Sequence, residues 1–159
     1  MRTKLLVILF FSLITAFSQN SSKYSNEFLN IGVDARSIGM ANAVVSSVND
    51  VNSTYWNPAG LLNIERDEIS LMHSNYFANI ANYNFISYAK SIDNESAIGF
   101  SLIRFAVDDI MDTTQLIDNQ GNIDFNRIEL FSAADYAFLF SYAKKNNLFN
   151  INYGLNVKI

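Results

Sequence analysis

Residues 149–158 read FNINYGLNVK. Phe149, Ile151, Tyr153, Leu155 and Val157 fall on odd positions, and Asn150, Asn152, Gly154, Asn156 and Lys158 on even ones. Successive side chains of a β-strand point to opposite faces of its sheet. The stretch therefore predicts a strand with one wholly apolar face and one small or polar face. A helical period would scatter both sets around the axis.

The same period recurs upstream. Strands are expected at Asp67–Phe77 (DEISLMHSNYF), Asn82–Lys90 (NYNFISYAK), Glu95–Ala106 (ESAIGFSLIRFA) and Ala134–Lys144. Ile98, Phe100 and Leu102 oppose Ala97, Gly99 and Ser101, and Tyr136, Phe138, Phe140 and Tyr142 oppose Ala137, Leu139, Ser141 and Ala143. Asp93-Asn94 and Asn146-Asn147 read as tight turns, and Val107 to Glu129 as a long loop. Segments of about ten residues with aromatic ends, joined alternately by short and long connections, are the pattern of an antiparallel outer-membrane β-barrel. A soluble β-sandwich shares the alternation but uses shorter strands. On the barrel reading, Phe149, Ile151, Tyr153, Leu155 and Val157 face lipid. Five strands are fewer than the roughly eight that close a membrane barrel, so residues 67–159 are expected to be the first part of a larger one.

The amino terminus supports export. Arg2 and Lys4 precede an uncharged run from Leu5 to Ala16, and Ala16-Phe17-Ser18 has the small-x-small form of a cleavage site. Twelve residues are too few for a membrane-spanning helix, which needs about 20. Residues 1–18 are read as a signal peptide and 19–30 as a polar lead-in. Of 11 basic residues, loss of Arg2 and Lys4 leaves nine against 15 acidic ones, a charge near −6. That disfavours nucleic acid and basic docking on anionic lipid. There is no cysteine, which removes thiol catalysis, thiolate metal sites and disulfides.

Between the lead-in and the strands, residues 31–66 have a different texture. Gly32, Ala35, Gly39, Ala41 and Ala43 crowd one stretch. Asp34 is placed to cap a short helix bearing Arg36, Ala43 to Val48 reads as β-prone, and Asp50 is placed to accept the first N–H groups of a turn over VNSTYW. The chain's one proline and one tryptophan follow in Trp56-Asn57-Pro58-Ala59-Gly60. Asn57 suits an N-cap, Pro58 the first position of a helical turn and Gly60 a left-handed end to it, making a corner into the first strand.

Chemistry-bearing residues are sparse, and no enzyme, cofactor or metal role is expected. His73, the single histidine, has Ser70 and Ser74 nearby and reads as a lumen-side polar residue rather than a catalytic base. The stretch DNQGNID at 118–124 lacks the ligand spacing of a calcium loop and reads as a solvated turn. Asn20, Asn52 and Asn94 begin glycosylation-type triplets, which such short patterns produce by chance.

Over KYSNEFLNIGVDARSIGMANAVVSSVNDVNSTYWNPAGL the chain resembles the PorV/PorQ family, within the wider FadL-like group of outer-membrane barrels. Phe28-Leu29 to Gly32, Ala35-Arg36, Gly39-Met40, Ala41 to Val45, Asp50, and Tyr55 to Leu61 carry the likeness. His73, Tyr88-Ala89 and GLNVK at 154–158 extend it. The resemblance implies an all-β fold with a small helical N-terminal hatch lying inside a barrel, the Asn-Pro-Ala corner leading from hatch to wall. Gly32, Ala35, Arg36, Gly39, Met40, Asp50, Trp56, Asn57, Pro58, Ala59 and Gly60 then form the hatch and corner. It implies an outer-membrane component of the type IX secretion system, binding C-terminal signal domains of exported cargo and delivering them for surface display among other secretion-system proteins. The alternative within the group is a transporter of hydrophobic small molecules, which the polar side of residues 150–158 disfavours.

Overall fold

The computed structural model describes residues 26–117 and 120–159. The leader, lead-in residues 19–25, and Asp118-Asn119 of the polar turn lie outside that set. Five strands, β1 (Glu68–Tyr76), β2 (Ala81–Asp93), β3 (Ser96–Asp112), β4 (Glu129–Asn146) and β5 (Ile151–Lys158), form one sheet in the order β1-β2-β3-β4-β5. Every pair is antiparallel and joins chain neighbours. The sheet is open: β1 and β5 are its two edges. The closed barrel is therefore not formed by these five strands, which are too few to bring the edges together.

Two boundaries differ from the sequence reading. The expected loop from Val107 to Glu129 begins later, because β3 runs on to Asp112, and residues 113–128 then connect it to β4 at Glu129. Asp108 and Asp109 look like loop residues but form a bulge, with Asp109 at φ 57, after which Ile110 and Met111 regain their partners Phe131 and Leu130. Phe149 leaves the ladder. It sits in the turn before Asn150, whose φ is 50, and β5 begins at Ile151.

Residues 27–66 fold as short turns against one face of the sheet, called here the inner face. A 3-10 turn at Glu27–Asn30 brings Phe28 out of the polar lead-in and buries it, stacked on Phe105 of β3 at 6.5 Å. The helical turn Ala35–Gly39 starts where expected, its Ser37 N–H donating to the Asp34 carboxylate at 3.3 Å. Ala43 to Val48 is not a strand. Ala41 and Asn42 take φ 53 and 64, and the Val44 carbonyl closes turns onto Ser47 and Val48. With no neighbouring strand, its β-branched residues cannot form a ladder. Two further turns follow, Ser53–Trp56 and Pro58–Asn63.

The core lies between these turns and the inner face, in two parts. One is aromatic: Phe28, Tyr55, Tyr83 and Phe85 pack with Ile103 and Leu139. The other is made of small wall residues, Ala89, Ala97 and Ala143, beneath Val51, Leu61 and Ile64. Small side chains on the wall let the backbone of the hatch approach closely, which large ones would prevent.

Candidate functional site

The corner at Asn57–Gly60 is where hatch and wall meet most tightly. Asn57 is extended, with φ −157 and ψ 98, and its side-chain oxygen accepts from Ala59 N–H at 3.2 Å. Its amide nitrogen donates to the Val45 carbonyl at 2.9 Å, tying the corner back to the hatch. Pro58 opens the 3-10 turn Pro58–Asn63, where a missing N–H costs no hydrogen bond. The cap and the proline are as the sequence suggests. Gly60 is not left-handed. It lies within the turn, and it must be glycine because a Cβ there would fall 2.5 Å from Ser53 Oγ and from the Val48 carbonyl oxygen.

Two glycines of the wall complete the seat. A Cβ on Gly154 of β5 would stand 2.5 Å from Ala59 N and 2.7 Å from the Pro58 carbonyl carbon, both backbone atoms. A Cβ on Gly99 of β3 would collide with the Thr54 methyl group. The corner therefore rests on bare backbone at β5, and the preceding turn at Thr54 does so at β3.

Beside that contact runs a buried hydroxyl chain that residue patterns did not single out. Thr54 Oγ1 lies 2.9 Å from Ser87 Oγ and accepts from Ser101 Oγ at 2.5 Å, while Ser101 Oγ also lies 2.9 Å from Ser87 Oγ. Ser141 Oγ and Asn156 Nδ2 both donate to the Thr54 carbonyl, at 3.2 and 2.6 Å. One hatch residue is thus held by β2, β3, β4 and β5. The visible signal was a serine at the inner position of three successive strands; what it lacked in sequence was a partner. Glu68 adds a further tie, its carboxylate accepting from Val51 N–H at 2.9 Å.

The predicted site residues divide into two groups. Trp56 donates from Nε1 to the Val33 carbonyl at 3.4 Å and meets Tyr55 edge-on at 4.7 Å. Tyr55 donates to the Leu29 carbonyl and lies under Lys158 Nζ, 5.4 Å from the ring centre. Asp50 caps its turn, accepting from Asn52 N–H at 2.8 Å. These residues and the corner are brought together. Gly32, at φ 93, works locally: a side chain there would overlap that of Asn42. Ala35, Arg36, Gly39 and Met40 lie on the exposed side of the hatch, away from the seat, and Gly39 faces open space.

His73 is a correction. It lies on the outer face of β1, opposite the hatch, with Nδ1 2.7 Å from Asn84 Oδ1. Ser70 and Ser74 have the other parity and face inward, so the His–Ser pairing that spacing allows is not made. Asn52, which begins a glycosylation-type triplet, is buried.

The family profile for the type IX secretion system protein PorV matches residues 16–149, most of the hatch and wall. The chain belongs to the PorV family. No curated protein and no solved structure matches it. As a PorV-family protein the chain is a component of the type IX secretion system, and the hatch seat lies within the matched residues apart from Gly154, Asn156 and Lys158 on β5.

Proposed function

We propose that this chain supplies wall strands and an internal hatch to an outer-membrane barrel, reached through a cleaved signal peptide, that binds or shuttles exported cargo for surface display. The observation that carries the membrane reading is the outer face. Ile98, Phe100, Leu102, Phe138, Phe140 and Tyr142 form one apolar surface across β3 and β4, and several of its groups are more than 40% exposed. Unbroken exposed apolar surface of this kind marks contact with a membrane or a partner. Its height suits a bilayer. From Lys144 to Tyr136 the strand advances eight residues, about 27 Å at roughly 3.4 Å each, or about 20 Å vertically at a tilt near 40°, close to the ~25 Å band of outer-membrane barrels. Tyr142 and Tyr153 stand near one margin with Lys90 and Lys144, and Tyr136 at the other.

The secretion role rests on family membership together with the seated hatch. A plug held at two glycines and a hydroxyl chain suits a barrel whose rim presents protein cargo, with the interior keeping the rim in shape. The test is Gly60→Val combined with Gly154→Val in the bacterium that makes the protein, following outer-membrane folding, surface cargo and uptake of hydrophobic small molecules together. A secretion component loses surface cargo while the barrel still folds. Altered uptake with normal cargo display would overturn this reading in favour of a FadL-like transporter.

A further inference from the structure

A polar row borders the apolar part of the outer face. His73, Asn84, Arg104 and Tyr136 are successive register partners across β1, β2, β3 and β4. Beside them, in the adjacent outward row, run Leu71, Ile86, Leu102 and Phe138. A groove of about 500 Å³ opens where the two rows meet, with Leu71, Ile86 and Leu102 lining its apolar part and His73, Asn84, Arg104 and Tyr136 its polar part.

The polar groups are ordered by one another. Asn84 Oδ1 is taken up by His73 Nδ1, which leaves the Asn84 amide nitrogen as a donor. Arg104 Nε donates to the Tyr136 hydroxyl oxygen at 3.2 Å, which leaves the tyrosine's own hydrogen to donate. Arg104 Nη2 stands 3.5 Å from Asp108 Oδ1, and both side chains are a third or more exposed. Donors and one positive charge therefore sit at the edge of the apolar rows, and a carboxylate lies four residues further along β3, away from them.

That order of charge selects among lipids. A phosphate needs several donors, charged ones best. A headgroup carrying only negative charge would meet the Asp108 carboxylate just beyond the guanidinium. A zwitterionic headgroup has its phosphate next to the acyl chains and its ammonium further out, which matches donors then carboxylate in both sign and sequence. We propose that this groove binds an aminophospholipid of the phosphatidylethanolamine class, an acyl chain along Leu71, Ile86 and Leu102, its phosphate on Asn84, Arg104 and Tyr136, and its ammonium on Asp108. The proposal rests on the reading that the outer face meets lipid.

The test is native mass spectrometry of the protein released from nanodiscs of equal phosphatidylethanolamine and phosphatidylglycerol. The unaltered protein retains phosphatidylethanolamine in preference by about tenfold, the scale of one charge-assisted hydrogen bond. Arg104→Gln loses retention of both lipids, and Asp108→Asn turns the preference towards phosphatidylglycerol. Equal retention of the two lipids, or a preference unchanged by Asp108→Asn, would show the row to be an ordinary polar margin and overturn the proposal. Stronger retention of lipid A from a second nanodisc mixture, of phosphatidylethanolamine and lipid A, would overturn it equally. A spin label at Phe140→Cys separates the two layers of argument. Lipid exposure there without headgroup preference defeats this proposal alone, whereas water exposure defeats the membrane reading beneath it.

Discussion

On β4 the inner residues Ala137, Leu139, Ser141 and Ala143 are at most 5% exposed, while their outward neighbours Tyr136, Phe138, Phe140 and Tyr142 are between 41% and 53% exposed. One strand with one set of hydrogen bonds supports two surfaces of opposite construction. The inner one is small, hydroxylated and cut away at Gly99 and Gly154, because another piece of the same chain presses on it. The outer one is large, aromatic and uncovered by the chain. On the proposed membrane reading, the inner face is specified by the shape of a protein partner and the outer face by the chemistry of a medium. Only the first demands particular atoms at particular places.

The contrast breaks most visibly on the outer face. Phe140→Arg, near the middle of the band, is expected to cost about 2–4 kcal/mol in liposome unfolding titrations, as charged substitutions at a bilayer midplane do. Tyr153, paired with Lys144 at the band's edge, should tolerate arginine with a cost of about 1 kcal/mol or less, as charges near the interface do. Equal costs at both sites would mean that the face meets protein or water instead of lipid.

On the inner face the equivalent injury is steric. Gly154→Val puts side-chain atoms against Pro58 and Ala59 backbone, which cannot rotate aside. Overpacking of this kind costs about 1–3 kcal/mol. Limited proteolysis should then cut within residues 31–66 while the strands stay protected; an unchanged cleavage pattern would show that the corner does not bear on β5. Ser101→Ala is milder, about 1 kcal/mol, since Thr54 and Ser87 keep each other and the Val51 carbonyl. It should appear as faster hydrogen exchange at the Ser53–Trp56 amides.

The smallest expected effect has the opposite sign. Gly39→Ala meets nothing within 4 Å and lies in a helical turn, so it should stabilise by up to about 1 kcal/mol. A loss of stability there would place the exposed half of the hatch against something that these residues do not include.

Much of this was legible in the residues, unevenly. The Asp34 and Asn57 caps and the first-turn position of Pro58 follow from side chains acting on backbone two or three residues away. Gly60 was misread because glycine serves two needs, a left-handed backbone or a close approach, and only the neighbours Val48 and Ser53 say which. Asp108 and Asp109 concealed a bulge, since a polar pair looks the same in a loop and in an interrupted strand. His73 was given the wrong face because β1 carries apolar residues of both parities, Leu71 and Met72 side by side.

By itself the sequence determined the strands, their two-sided character and the kinship with PorV proteins, because period, caps and motifs are properties of near neighbours along the chain. The seat of the hatch was decided only in three dimensions. Thr54 is joined to Ser101, Ser141 and Asn156 across 47, 87 and 102 residues. Over such separations a serine or glycine carries no mark of its partner. It becomes a ligand for the hatch only when antiparallel pairing aligns the strands and turns every second side chain to the same side.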